Sequence, residues 1–307
     1  MQTIYITHPS CKLHEMGSWH PECPARLDAI NDQLLASGLM NLIEPVQARL
    51  ATRDDILRVH AAEHLAFLTA HAPASGYYQV DPDTIMNPHT LDAAWAAAGA
   101  GITAVDAIMS GDYRSAFCAV RPPGHHARPG QAMGFCFFNN IAVAVSYALE
   151  KYGLHRVAII DFDVHHGNGT EEMFAGDERV LMCSFYQHPL FPGTRGDPTA
   201  SNMLNIPVDP YTKGDALRMI VSDIWLPRLR DFRPEFIFIS AGFDAHREDD
   251  MAQLDMVESD YAWITARLME LADDTADGRV ASFLEGGYDL SALGRSAVAH
   301  IRALAKL

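Results

Sequence analysis

Short β-branched or apolar runs alternate along the chain with longer segments of helical periodicity. The candidate strands are TIYIT (3–7), SAFCAV (115–120), RVAIIDF (156–162), RVLMCSF (179–185), EFIFIS (235–240) and RVASFL (279–284). Helices are predicted over 24–36, 53–71, 91–110, 140–152, 213–231, 258–274 and 291–306. Gly153 stands where the residue after a helix C-terminus is expected. Alternation of this kind predicts an α/β domain with a parallel sheet and helices on both of its faces. No repeat, low-complexity tract or linker interrupts it, so residues 1–307 read as a single domain.

The segments just beyond the strands are unusually polar. The run ending at 120 leads into RPPGHHARPG, and the run ending near 160 into DFDVHHGNG. Later runs lead into YQHPLFPGTRG, AGFDAHRED and EGGYDL. In open parallel α/β sheets ligands bind beyond the C-terminal strand ends. Five distant polar, glycine-rich segments are therefore expected to meet in one site.

DFDVHH is the densest of them. A period of two sends Asp161, Asp163 and His165 to one side and Phe162 and Val164 to the other. An Asp and a His two residues apart make a pair of divalent-metal ligands. Asp244, in SAGFDAH, is the best third carboxylate, which leaves a coordination position open for water. Two aspartates and a histidine suit Zn²⁺ or Fe²⁺ and exclude a thiolate-rich structural site. Side-by-side buried carboxylates repel unless a cation sits between them.

His125 and His126 lie in a turn stiffened by two prolines and Gly124. Adjacent rings rarely reach one ion, so a general base beside an electrostatic partner fits better. Each needs an orienting acceptor, and Asp161 and Asn168 are the natural pair. Tyr288, after two glycines, is placed to stabilise an oxyanion. Phe135 and Phe191, in glycine-flanked loops, would form a slot for a linear alkyl chain.

Composition narrows the setting. Hydrophobic residues make up 49% and charged residues 20% of 307, which is globular rather than disordered. A net charge of −16 argues against nucleic acid as a partner. Five cysteines, an odd number without a CxxC pair, predict a reducing cytoplasm rather than a disulfide framework. The N-terminus has no secretory pattern. The alanine-rich 93–108 segment is too short for a membrane span and carries Asp106.

Taken in order, HPECPARL, RPPGHHA, GFCFFNN, DFDVHHGNGT, SAGFDAH and LEGGYDL resemble the zinc-dependent histone deacetylase and acetylpolyamine amidohydrolase superfamily, over about residues 4–306. HHGNG, with Asn168 where other branches have Asp, resembles the class II-like bacterial branch. The resemblance implies the arginase–deacetylase α/β fold, with a mainly parallel sheet of about eight strands. It implies that Asp163, His165 and Asp244 bind catalytic zinc. His126 would be the general base and acid, and His125, supported by Asp161, would act electrostatically. Gly134 would offer its carbonyl to the substrate amide, Phe135 and Phe191 would flank an acyl-lysine tunnel, and Arg26 would line a cavity for the released acid. A structural K⁺ is implied on the Asp161 and Ser184 side chains and the carbonyls of Asp163, His165 and Phe185, with a second near Phe174 and Val180.

Departures from the resembled pattern bear on substrate. Many relatives read DAHxDDPL where this chain has DAHREDDM, and Met251 falls where polyamine-selective relatives carry a glutamate. No long insertion lies between 60 and 90, where acetylpolyamine enzymes carry one. Both points favour acyl-lysine or a small acyl-amide. An acetylpolyamine amidohydrolase is the alternative. A catalytically silent acyl-lysine binder and a two-metal ureohydrolase fit the residues less well. Oligomeric state stays open.

Overall fold

The computed structural model describes residues 3–193 and 199–307; the last residues of YQHPLFPGTRG, 194–196, lie outside them. Ten strands occur among the described residues. They are β1 (Thr3–Thr7), β2 (Glu44–Gln47), β3 (Tyr78–Gln79), β4 (Ile85–Met86), β5 (Ser115–Cys118), β6 (Val157–Asp161), β7 (Val180–Gln187), β8 (Met203–Val208), β9 (Phe236–Ala241) and β10 (Val280–Leu284). Eight form one sheet in the order β2-β1-β5-β10-β9-β6-β7-β8, while β3 and β4 make a separate hairpin. Every pairing in the large sheet is parallel.

The interior strands β5, β6, β7, β9 and β10 are buried at every position. Burial on both faces requires helices on both sides. The helices Ala25–Ala36, Glu258–Thr275 and Leu290–Leu304 pack on one another, and Thr90–Met109 packs on Asn140–Tyr152. Thr90–Met109 is long and apolar enough to cross a membrane, longer than the 93–108 stretch suggested. Burial of 67% of its apolar window inside the fold makes it a core helix instead. The cysteines are free, four of them buried.

The six strands expected from sequence are present, each within a few residues of its reading. Four were not legible: the two-residue strands β3 and β4 of the hairpin, and two of the large sheet, β2, which reads EPVQ, and β8, which reads MLNIPV; the last two share a feature. Each carries a proline, and each lies at an edge of the sheet, where a missing N–H need cost no ladder bond.

Two helices predicted as continuous are broken. Residues 53–71 divide into Arg53–Ile56 and Ala62–His71. Between them the Ala61 N–H donates to the Pro129 carbonyl and His60 bridges Arg128 O and Asn139 N, so tertiary bonds draw the backbone away. Residues 213–231 become Gly214–Ile220, a π-turn at Val221–Trp225 and Leu226–Phe232. Pro227 lacks an N–H and crowds the carbonyl four residues back, at Asp223 within that turn. The short Asn168–Phe174 helix was also missed.

Candidate active site

The five segments do meet. They extend from β5, β10, β9, β6 and β7, which are consecutive across the sheet. Parallel strands end on one side, so their C-terminal loops converge there.

Asp163, His165 and Asp244 are buried, and their ligand atoms all lie within 4.8 Å of one another. His165 Nδ1 is 3.1 Å from Asp163 Oδ1 and 3.1 Å from Asp244 Oδ2. Backbone amides fix the carboxylates: Gly286 N–H donates to Asp163 Oδ2 (2.8 Å), His165 N–H to Asp163 Oδ1 (2.8 Å) and Val164 N–H to Asp244 Oδ1 (3.0 Å). Two glycines make room for them. A Cβ on Gly242 would stand 2.0 Å from Asp163 Oδ2, and one on Gly286 2.0 Å from Asp244 Oδ2.

The local charges act on one another at close range. Burial raises the Asp244 carboxyl and the neighbouring Asp163 charge adds to it, pushing it up to about 6. Burial opposes the His165 imidazolium, but hydrogen bonds to the two carboxylates prevail and push it up to about 10. This cradle of two carboxylates and one imidazole therefore attracts positive charge. Its donors and the cleared space around them fit a divalent cation held by three protein ligands, as in catalytic zinc sites.

The tandem histidine rings lie with centroids 4.0 Å apart and planes tilted by 45°, yet their environments are opposite. His125 Nδ1 lies 3.0 Å from Asp161 Oδ2. Burial opposes its charge, but Asp163 and Asp161 overcome that and push it up to about 10. His126 Nδ1 lies 2.8 Å from Asn168 Oδ1, an amide oxygen without charge. Burial, then the positive fields of His125 and His165, hold it well below the ordinary imidazole range. Neighbouring groups pushed apart in this way mark an acid–base division of labour.

A narrow cavity of about 110 Å³ reaches this point, lined by Asp83, His126, Gly134, Phe135, His165, Phe191, Met251 and Tyr288. The structure thus brings Gly134, Phe135, Phe191, Met251 and Tyr288 together as the sequence suggested. Gly134 (φ 57°) and Phe135 (φ 69°) are both left-handed. The strain at Phe135 is held by a 3.0 Å bond from its N–H to Thr84 Oγ1. A Cβ on Gly134 would press on the His126 ring at 2.6 Å.

Arg26 stands beneath Tyr288. It is fully buried, donating to the Gly287 carbonyl (2.6 Å), the Glu285 carbonyl (2.5 Å) and Glu22 Oε1 (3.2 Å), with its guanidinium 4.9 Å from the Tyr288 ring centroid. It braces the glycine turn beneath Tyr288. Asp161 and Ser184 face each other in the β6–β7 register, and the Ser184 hydroxyl donates to Asn205 Oδ1 (2.9 Å). The carbonyls of Phe174, Asp177 and Val180 converge on the Asn202 side-chain amide at 2.9–3.1 Å, which gives that cluster a donor of its own.

Three further residues belong to the site, and two of them, Glu285 and Asp249, escaped the sequence reading. Asp83 lines the cavity, and burial with the Asp81 carboxylate nearby pushes it up to about 6. Glu285 Oε2 accepts the Gly124 and His125 amides at 2.7 and 3.1 Å, and burial raises it to about 7. Asp249 clamps the Tyr288 loop. Glu285 was inside the LEGGYDL motif, whereas Asp249 sat in an acidic run that reads as a solvated surface.

Known proteins resemble this chain over nearly its whole length. The histone deacetylase domain model matches residues 20–304. A probable deacetylase of Archaeoglobus fulgidus is 38% identical over 302 residues, covering 94% of this chain and 82% of that protein. A histone deacetylase-like amidohydrolase of Pseudomonas aeruginosa is 37% identical over 276 residues, covering 88% and 72%. The crystal structure of the HDA15 HD domain is similar with a TM-score of 0.92 at 33% identity, covering 99% of this chain and 90% of that one. With the sheet, the ligand group and the paired histidines in the same chain, it belongs to the histone deacetylase domain family of deacetylases and amidohydrolases.

Proposed function

We propose that this chain removes acetyl, or another short acyl group, from an N-ε-acyl-lysine side chain or a related small acyl-amide. The observation that carries the reading is the His125–His126 pair, one ring on the Asp161 carboxylate and its neighbour on the uncharged Asn168 amide, beside three convergent metal-ligand side chains at the end of a narrow cavity. Zn²⁺, or Fe²⁺, held by Asp163, His165 and Asp244 would supply Lewis acidity and lower the pKa of a bound water.

The chain's own groups do the rest. Asn168 accepts at His126 Nδ1, which leaves Nε2 as the basic nitrogen. His126 takes a proton from the attacking water and returns it to the departing amine, so that the C–O bond forms, the C–N bond breaks, and acid and free amine leave. His125, charged by Asp161 and Asp163, stabilises the negative charge that develops. The Tyr288 hydroxyl donates to the carbonyl oxygen as it gains charge. The Gly134 carbonyl accepts the substrate N–H, and Phe135 and Phe191 enclose the alkyl chain. A structural K⁺ at Asp161 and Ser184, with the Asp163, His165 and Phe185 carbonyls, belongs to the same reading, supported by the Asp161–Ser184 register.

Met251 gives the cavity an apolar wall, which favours acyl-lysine over a polyamine. Among the described residues Asp83 is the one carboxylate lining it, and burial with Asp81 nearby pushes its carboxyl up to about 6. The test is turnover of a fluorogenic acetyl-lysine amide by zinc-loaded protein, with and without a hydroxamate, beside acetylputrescine. Tyr288→Phe should lower kcat by about 10²–10³ with KM little changed. Wild-type turnover in that variant would refute the mechanism.

A further inference from the structure

One buried carboxylate joins the two loops that carry Tyr288 and Met251. Asp249 Oδ2 accepts the Tyr288 N–H at 2.6 Å and the Asp289 N–H at 3.0 Å, and Oδ1 accepts the Met251 N–H at 3.0 Å. Asp249 is 4% exposed, and its own N–H is bound to the His246 carbonyl at 2.9 Å. The loop is anchored again by Glu248, which pairs with Arg295 at 2.7 Å.

The joined residues have somewhere to go. Met251 and Tyr288 line the catalytic cavity on one side and a second cavity of about 240 Å³ on the other, beside Pro21 and Asp289. They form the partition between the two spaces. Arg26 backs the Tyr288 ring at 4.9 Å, so the wall is open behind Met251, and there the Asp249 hydrogen bonds hold it. Released, Met251 can swing toward the second cavity and widen the first, and Tyr288 loses the fixed backbone from which its hydroxyl is aimed.

We infer that Asp249 is a positioning residue that locks the acyl-pocket wall at Met251 to the oxyanion donor Tyr288, and so sets both acyl-chain selectivity and turnover. This rests on the acyl-amide hydrolase reading of the same site. The geometry separates the two effects. Asn at 249 keeps one oxygen, which goes to the side with two amides, Tyr288 and Asp289, while its NH₂ then opposes the Met251 N–H. Ala frees both sides.

The experiment measures kcat and KM separately for wild type, Asp249→Asn and Asp249→Ala on acetyl-lysine and hexanoyl-lysine amides, with amide hydrogen exchange read at Met251 and Tyr288. Asp249→Ala should lower kcat on the acetyl substrate about a hundredfold, the cost of misplacing a catalytic group by an ångström. Asp249→Asn should lose at least tenfold less kcat than Asp249→Ala. It should also move the hexanoyl-to-acetyl kcat/KM ratio upward by fivefold or more. Exchange should quicken at Met251 in both variants and at Tyr288 in Asp249→Ala alone. A role confined to stability would leave the selectivity ratio unmoved. Equal kcat losses with an unchanged ratio would overturn the inference, as would protection at Met251 that survives Asp249→Asn. Hydrogen exchange does not depend on turnover. Failure of the wild type on every acyl-lysine would therefore sink the functional reading alone, leaving the clamp to be judged by exchange.

Discussion

Gly286→Ala tests the ligand geometry most directly, because one methyl group would enter the place where two carboxylates meet. The new Cβ would lie 2.0 Å from Asp244 Oδ2 and 2.6 Å from Asp163 Oδ2. Real Cβ contacts essentially never fall under 3.0 Å, so the first oxygen must retreat by at least the difference, about 1 Å. Neither carboxylate is a flexible chain end, since Val164 N–H holds Asp244 and the Gly286 amide itself holds Asp163. The backbone at 286 carries no positive φ, so the effect is steric and not torsional. A displacement of that size costs about 10² in kcat/KM, or ~2.7 kcal/mol of transition-state stabilisation. Metal affinity should fall by about 10–100-fold, as when groups supporting metal ligands are altered. The assay is kcat/KM on an acetyl-lysine amide together with zinc titration by calorimetry. Gly130→Ala is the control, because a Cβ there meets nothing within 4 Å. Zinc affinity and turnover within twofold of wild type in Gly286→Ala would refute the placement of Asp163 and Asp244.

Other expectations are independent of that one. His126 is held below its ordinary pKa, so it stays neutral as pH falls past about 6.5, and the acid limb of kcat/KM should lie below that value. Asn168→Asp places an anion at Nδ1, favours the imidazolium and should move that limb to higher pH by about one unit; a downward shift or none would contradict the pairing. Chelation with EDTA should abolish turnover and lower the melting temperature, because zinc at a hundred times its Kd stabilises by about 2.7 kcal/mol; unchanged activity after exhaustive dialysis would exclude a metal mechanism. Phe162, fully buried against Phe243, Tyr261 and His300, should cost about 3–5 kcal/mol on truncation to Ala, read as a lowered denaturation midpoint.

The sequence by itself determined the class of fold and most of the side chains that meet at the candidate site. Six buried strands were legible because both of their faces are covered, so apolar residues run nearly unbroken along them. DFDVHH was legible because two acids and two imidazoles at the end of such a strand break its apolar pattern; the structure gathers Asp163 and His165 with Asp244 and pairs His166 with Glu171. Asn168 and Asp161 could be assigned to their histidines because an imidazole in a tight turn needs an oriented acceptor. The proline-bearing edge strands and the break at 57–61 could not be read, since their causes are edge position and long-range hydrogen bonds, whereas the π-turn at 221–225 had a local signal in Pro227. Only the tertiary structure decided that Arg26 braces the Tyr288 turn, that Glu285 ties the histidine turn to the end of β10, and that Asp249 spans two loops. Each acts through backbone amides or carbonyls of residues distant in sequence. Local pattern records which side chains carry chemistry, but the groups that aim them are chosen by which loops the parallel sheet brings side by side.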